Sequence, residues 1–203
     1  MYAKKNKTLK VLVAALSVVL VVCLSVAGTL AYLQVKTSEV VNTFAPSNID
    51  LKLEETTGST YKMVPGVAMD KNPTVTVSGD VDAYVFVKID EAGSVTVSGT
   101  EYTLDDFLTY AIAAGWTILE EKPDSNGNET IVIYRDVAAN ATEKTFSVLE
   151  GDKVTTNAGV TKQMMNAYTD GSIKLTFTAY AIQKAGFADN LAGAWAEAQG
   201  QTS

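Results

Sequence analysis

A strict two-residue alternation near the end of the chain constrains the fold more than any other feature. Between residues 173 and 181 every odd position is apolar, and positions 174, 176 and 178 carry Lys or Thr. Successive side chains of a β-strand point to opposite faces, so this pattern predicts a strand with one buried face. It is the longest regular alternation in the chain, and we expect the strand to be central in its sheet.

The same period recurs elsewhere between turn-forming residues. Shorter apolar alternations or β-branched runs occur at residues 49–53, 75–77, 85–89 and 145–149. Two further apolar stretches flank a Pro-Asp-Ser-Asn-Gly-Asn turn, in which Asn-Gly favours the positive φ of a hairpin. About eight strands with turns between them predict an all-β fold in the main, a two-sheet antiparallel sandwich.

One amphipathic helix is predicted as an insertion between Thr103 and Gly115. Apolar residues at 104, 107, 108, 111 and 112 form a helical stripe. Thr103 can cap the first turn, Asp105 and Asp106 suit the positive helix end, and Gly115 ends the pattern. We expect this helix to lie over a sheet.

Two shorter helical segments follow. Residues 161–166 predict a helical turn. The alanine-rich stretch 189–199 contains Leu191 and Trp195, which are four residues apart and therefore share one face of a helix. We expect it to form a short C-terminal helix that docks on the sandwich.

The first 33 residues have the organisation of a secretory signal. Lysines stand at positions 4, 5, 7 and 10, and residues 11–33 carry no charge, which places the following residues outside the cytoplasm. Thr29 and Ala31 supply the small side chains that a signal peptidase requires, so we predict cleavage after Ala31 and a mature chain that begins at Tyr32. An uncleaved membrane anchor is the alternative, because about 20 apolar residues also span a bilayer.

The charge balance excludes a nucleic-acid role. The chain has 16 basic and 23 acidic side chains, and the four lysines of the signal leave 12 basic against 23 acidic in residues 32–203, a formal charge of −11. Nucleic acids bind to surfaces rich in Lys and Arg, so such a domain should repel them. The same charge favours a soluble domain whose copies repel each other weakly.

The residue types also argue against catalysis. Histidine is absent and the one cysteine, Cys23, lies in the predicted signal, so neither a histidine-based zinc site nor a His-dependent catalytic triad can form. Carboxylate-only calcium sites at Asp80 and Asp82, or at Asp105 and Asp106, lack the spacing of a known binding loop. We interpret these pairs as a turn and a helix N-terminus, and predict no catalytic residue, cofactor or metal.

Five short blocks resemble a known family. They are GTLAYL at 28–33, VPG at 64–66, KNPTV at 71–75, VDAYVFVK at 81–88 and AYAIQKAGF at 179–187. Together they resemble the TasA/camelysin proteins, which implies a jelly-roll-like sandwich, export with a signal peptidase of the SipW type, and a bacterial surface or biofilm-matrix location. The middle of the chain, residues 94–166, is similar in general layout alone.

The resemblance implies a secreted structural subunit that assembles into extracellular fibres, with itself and other matrix proteins as partners. A monomeric surface adhesin or binding module on the same sandwich is the alternative. Camelysin-type relatives have been described as metalloproteases, but the absence of histidine makes an extracellular peptidase the least favoured function.

We therefore expect three segments: a signal at 1–31, a donor or edge segment at 32–45, and a sandwich at 46–203. The middle segment is apolar but is separated from the first predicted strand by Pro46; its apolar residues are Leu33, Val35, Val40, Val41 and Phe44. A segment of this length can add a strand to a neighbouring subunit, which makes a head-to-tail filament. The alternative is that it folds back on its own sheet as an ordinary first strand.

Overall fold

A computed structural model describes residues 7, 9–21, 48–58, 61–123 and 128–200 of the chain. The chain divides into two compact units, Met1–Ala45 and Pro46–Ser203. In the first unit, residues 9–21 form helix α1, whose Leu and Val side chains are exposed. No helix within the described residues is long and apolar enough to cross a membrane.

The predicted processing and assembly residues lie outside the described part of the chain. They are Thr29, Ala31, Tyr32, Leu33, Val35, Val40, Val41 and Phe44. Cleavage after Ala31 and strand donation by residues 32–44 therefore remain predictions from the sequence.

The second unit is mainly β, which confirms the predicted fold class. Its strands are β1 (Ile49–Glu54), β2 (Ala68–Asp70), β3 (Thr74–Gly79), β4 (Ala83–Ala92), β5 (Val95–Val97), β6 (Thr100–Tyr102), β7 (Leu108–Thr109), β8 (Thr117–Pro123), β9 (Glu129–Val137), β10 (Thr145–Ser147), β11 (Lys153–Thr156) and β12 (Lys174–Gln183). Its helices are α2 (Leu104–Phe107), α3 (Lys162–Ala167) and α4 (Leu191–Gly200), and a 3-10 turn spans Glu150–Asp152. All of the strand pairs are antiparallel.

The largest sheet has the order β12-β4-β9-β8. Strand β4 is central and is buried on both faces from Ala83 to Val87, because its side chains contribute to two apolar clusters. The prediction that the strand at residues 173–181 is central is wrong: within the part of the chain that the structure describes, β12 stands at the end of this sheet. Its alternating pattern reflects a strand with incomplete cover, whereas a central strand with both faces packed has a continuous apolar run.

A second sheet, of order β1-β3-β10, packs against one face of the large sheet. The core between them is formed by side chains from both sheets; its buried members are Val75, Val77, Val85, Val87, Ile89, Ile133, Val137, Phe146 and Val148. These positions alternate along β3 and β4, as the sequence predicted for Val75, Val77, Val85, Val87 and Ile89. The two layers form the sandwich.

The helix predicted between Thr103 and Gly115 is a single turn. Thr103 is the N-cap residue, as expected, and its N–H donates a hydrogen bond to the Asp106 carboxylate, but α2 ends at Phe107. The backbone then becomes extended and β7 pairs with β11, and Ile112 bridges to Leu149. Backbone pairing with these neighbouring strands satisfies the same N–H and C=O groups that a longer helix would have used.

Helix α4 covers the other face of the large sheet, as predicted for the C-terminal segment. Trp195 is 6% exposed and its ring lies 5.3 Å from Phe86 and 5.1 Å from Tyr180, measured between ring centroids. Ala194 and Ala198 are buried beside it. The predicted helical turn also exists as α3, capped by the Thr161 hydroxyl, which accepts a hydrogen bond from the Met164 N–H.

Candidate assembly edge

The two sheets end on the same side of the sandwich, at β1 and β12. Strand β1 pairs with β3 along its six residues, and β12 pairs with β4 along ten residues without irregularity. The two end strands lie side by side, with Cα atoms within 8 Å of each other. Within the described residues neither strand pairs with another strand on its outer edge. An unpaired edge of this kind is a template for strand addition.

The side chains that β1 and β12 turn toward the core are incompletely covered. We define the β1–β12 seam as Ile49, Leu51, Leu53, Leu175, Phe177, Ala179 and Ala181, all of which are half-buried and pack against the sandwich core. Their neighbours on the adjacent strands, Val75, Val85 and Val87, are 0% exposed. The seam is therefore an apolar strip on the side of the domain where both sheets end, as far as the described residues show.

The opposite edge of the large sheet is protected against strand addition. Strand β8 has a bulge between Ile118 and Glu120, and it ends at Pro123. Charged side chains follow the bulge, and Lys122 pairs with Glu120 at the surface. Bulges, charges and proline are the features that prevent edge strands from pairing with other chains. Strand β1 carries a similar surface pair, Lys52 with Glu54. The pairings of β1 and β12 differ from that of β8 in having no bulge.

A cation anchors one end of the seam. The Lys71 Nζ atom lies 2.9 and 3.0 Å from the two carboxylate oxygens of Glu55, and it stands 5.1 Å from the ring centre of Tyr61 and 5.3 Å from that of Phe177. Burial alone would raise the pKa of Glu55, but the hydrogen bonds from Tyr61 and Lys71 and the lysine charge hold it below its usual value. Asn72 fixes the same loop, because its Oδ1 accepts hydrogen bonds from the Thr56 and Thr57 N–H groups.

The acidic pairs considered as calcium sites have structural roles. Asp80 accepts a hydrogen bond from the Asn48 N–H, and Asp82 accepts one from the Ala139 N–H. Asp106 accepts one from the Thr103 N–H at the start of α2. These contacts agree with the interpretation of the pairs as a turn and a helix N-terminus.

Asp105 instead joins an acidic group that the sequence did not indicate. One carboxylate oxygen from each of Glu91, Asp105 and Glu129 lies within 4.8 Å of the others, and these are the described residues that could hold a cation. Glu91 and Glu129 face each other across β4 and β9. Which residue of β9 faces Glu91 depends on the register of the two strands, and the sequence does not give that register. The one feature visible in the sequence is that each of these two apolar strands has a carboxylate near one end.

Burial controls the charge of Glu91. Its side chain is 6% exposed, and burial, together with the charges of Asp105 and Glu129, raises its pKa although the Tyr110 hydroxyl donates a hydrogen bond to it. Burial and the same carboxylates raise the pKa of Tyr110, so its hydroxyl keeps its proton and remains a donor. The protonated form of Glu91 is therefore favoured by folding.

We expect Glu91→Gln to stabilise the domain in a pH-dependent way. A raised pKa in the folded state gives stability that is present at pH values below the unfolded pKa and is lost as the pH rises through the folded pKa. Glutamine keeps an acceptor for Tyr110 without the charge, so the melting temperature should rise by about 2–4 °C at pH 7, which corresponds to about 1 kcal/mol in a domain of this size. Below pH 4 the variant and the native protein should melt together.

Thermal unfolding followed by circular dichroism at pH 3.5 and pH 7 measures this effect. Glu121→Gln is the matched control, because Glu121 is exposed on β8. An equal shift at both pH values, or the same shift in the control, would show that the buried carboxylate is not the cause.

The seam is thus a half-buried apolar strip, beside two strand edges that have no further strand within the described residues, and a fixed loop lies at one end of it. No family model, curated protein or solved structure matches this chain.

Proposed function

We propose that this chain is an exported structural protein of a bacterium, a TasA/camelysin-type subunit of extracellular fibres in a biofilm matrix or on the cell surface. The observation that carries the proposal is the β1–β12 seam, because a sandwich that leaves its core half covered at two strand edges gains stability from one more strand. The signal region and the family resemblance support export of the protein and its location in an extracellular matrix. A signal peptidase of the SipW type releases the mature chain.

The added strand comes from residues 32–44 of a neighbouring subunit. The segment has 13 residues, enough to run along the ten residues of β12, and it carries the apolar residues Leu33, Val35, Val40, Val41 and Phe44. Main-chain hydrogen bonds to the strand edge give affinity, and the apolar side chains bury the seam. Because donor and acceptor are different surfaces, each subunit accepts one strand and donates another, and the assembly grows as a filament.

Assembly of this kind requires no catalytic group, and we propose that the protein is not an enzyme. The chain contains no histidine, and its one cysteine belongs to the signal. The alternative, a monomeric adhesin or binding module, is supported by a pocket described below. An extracellular peptidase is the weakest of the three, because the chain has no histidine for a zinc site of the metalloprotease type or for a His-dependent triad.

A peptide experiment tests the acceptor surface directly. The domain that begins at Pro46 is titrated with a synthetic peptide of residues 32–44 while its amide NMR signals are recorded. We expect the largest shifts in β1 and β12 and an increase in the melting temperature, because the peptide covers the seam. A peptide with Val35→Asp and Val41→Asp is the matched control and should bind much more weakly. Shifts centred on β8, or equal binding of the two peptides, would contradict the proposal.

A further inference from the structure

A concave site lies at one end of the β1–β12 seam, beside the start of β12. A pocket of about 370 Å³ opens between the loop that contains Tyr61 and the turn that precedes β12. Its volume is within the range of about 300–1,000 Å³ that is typical of small-molecule sites, and it is near the lower limit. The site therefore suits a small ligand.

The interior of the pocket is apolar. Met63, Met69, Leu108, Val154 and Ile173 line it, and Val154 and Ile173 are buried. Met63 and Ile173 belong to the same apolar cluster that α2 and α3 cover, so this lining is continuous with the core. Two thioether side chains and three aliphatic ones form a surface that suits an aliphatic or aromatic group.

The charges at the rim are balanced. Lys71 is already neutralised by Glu55 at 2.9 Å. Asp170 and Lys174 also line the pocket; both are exposed, and within the described residues neither has an ion pair or a side-chain hydrogen bond. The pocket thus presents one unpaired anion and one unpaired cation beside an apolar interior, on a domain whose overall charge is strongly acidic.

We propose that this pocket binds a small zwitterion with an apolar body, such as a hydrophobic dipeptide. The ligand's carboxylate contacts the Lys174 ammonium, its own ammonium contacts the Asp170 carboxylate, and its side chains occupy the apolar interior. A ligand with both charges complements the rim, whereas a simple anion would be repelled by Asp170 and by the acidic domain. The proposal does not rest on fibre formation, but the pocket adjoins the seam, because Lys174, Leu175 and Thr176 of β12 line it.

Equilibrium dialysis of leucyl-leucine against the secreted chain tests the proposal. We expect saturable binding of one dipeptide per chain. N-acetyl-leucyl-leucine and leucyl-leucine amide, which each lack one charge, should bind roughly 1.5- to fivefold more weakly, as expected for a single exposed ion pair.

Two variants test which residue at the rim contacts each charge of the ligand. Asp170→Asn should weaken binding of the dipeptide but not of its N-acetyl form, and Lys174→Gln should weaken binding of the dipeptide but not of its amide. Lys162→Gln and Asp189→Asn are matched controls, because both residues are exposed and lie outside this pocket. The proposal is overturned by absence of saturable binding, by equal binding of the three compounds, or by losses in the controls that equal those in the two variants.

Discussion

Replacing Val85 with aspartate should unfold the sandwich domain. Val85 is 0% exposed on the central strand β4, and it packs in the core between the two large sheets. An ionised carboxylate at this position would have no partner, and burial of an unpaired charge is among the few single changes that cost more than about 4 kcal/mol. Since a domain of this size is stable by about 5–15 kcal/mol, most of its stability would be lost.

Circular dichroism and thermal melting of the purified variant measure this loss. Val64→Asp is the matched control, because Val64 is 51% exposed and its replacement should leave the melting curve nearly unchanged. A Val85→Asp protein that melts cooperatively near the native temperature would show that β4 is not the centre of the core.

Replacing Trp195 with alanine should detach helix α4 from the sheet. The indole contacts Phe86 and Tyr180 and is buried with Ala194 and Ala198. Removal of a buried tryptophan side chain costs about 3–5 kcal/mol, which corresponds to a melting temperature lower by about 6–20 °C. A helix of ten residues is marginal in water without tertiary contacts, so α4 should also lose its helical structure.

Hydrogen exchange of the α4 amides separates this local effect from general destabilisation. In Trp195→Ala these amides should exchange faster than those of β4, while in the control Glu197→Ala, which changes an exposed residue of the same helix, they should remain protected. Equal loss of protection in α4 and β4 would mean that the helix is not a separately docked element.

The sequence predicted the strands better than their places in the sheets. The alternation in residues 173–181 indicated β12 correctly, but its regularity was interpreted as a mark of a central strand. The continuous apolar run from Ala83 to Val87 was the better indicator, because both faces of β4 are covered, one by the second sheet and one by α4. A clean alternation instead marks a strand with one poorly covered face.

The helix predicted between Thr103 and Gly115 is shorter than expected for a different physical reason. Leu104 and Phe107 are buried as the helical stripe required, but Leu108 belongs to a strand. Local periodicity cannot report that β11 offers a pairing partner almost fifty residues later in the chain, and that pairing satisfies the backbone as well as a helix does. The acidic group of Glu91, Asp105 and Glu129 was not predictable for the same reason, since it forms through the register of β4 with β9.

Of the candidate assembly site, the sequence predicted the donor segment but not the acceptor surface. The apolar residues of segment 32–44 and its separation by Pro46 are visible in the sequence, and they suggested a strand that adds to another subunit. The acceptor could not be predicted, because it arises where β1 and β12, more than a hundred residues apart, end two different sheets on one side of the sandwich.

Electron microscopy and size-exclusion chromatography of two purified proteins test strand donation most directly. One protein begins at Tyr32 and the other at Pro46, the first residue of the compact second unit. We predict that the longer protein forms filaments, while the shorter one has the same β-rich circular dichroism spectrum but elutes as a monomer. Filaments formed equally well by the protein that begins at Pro46 would contradict assembly through residues 32–44.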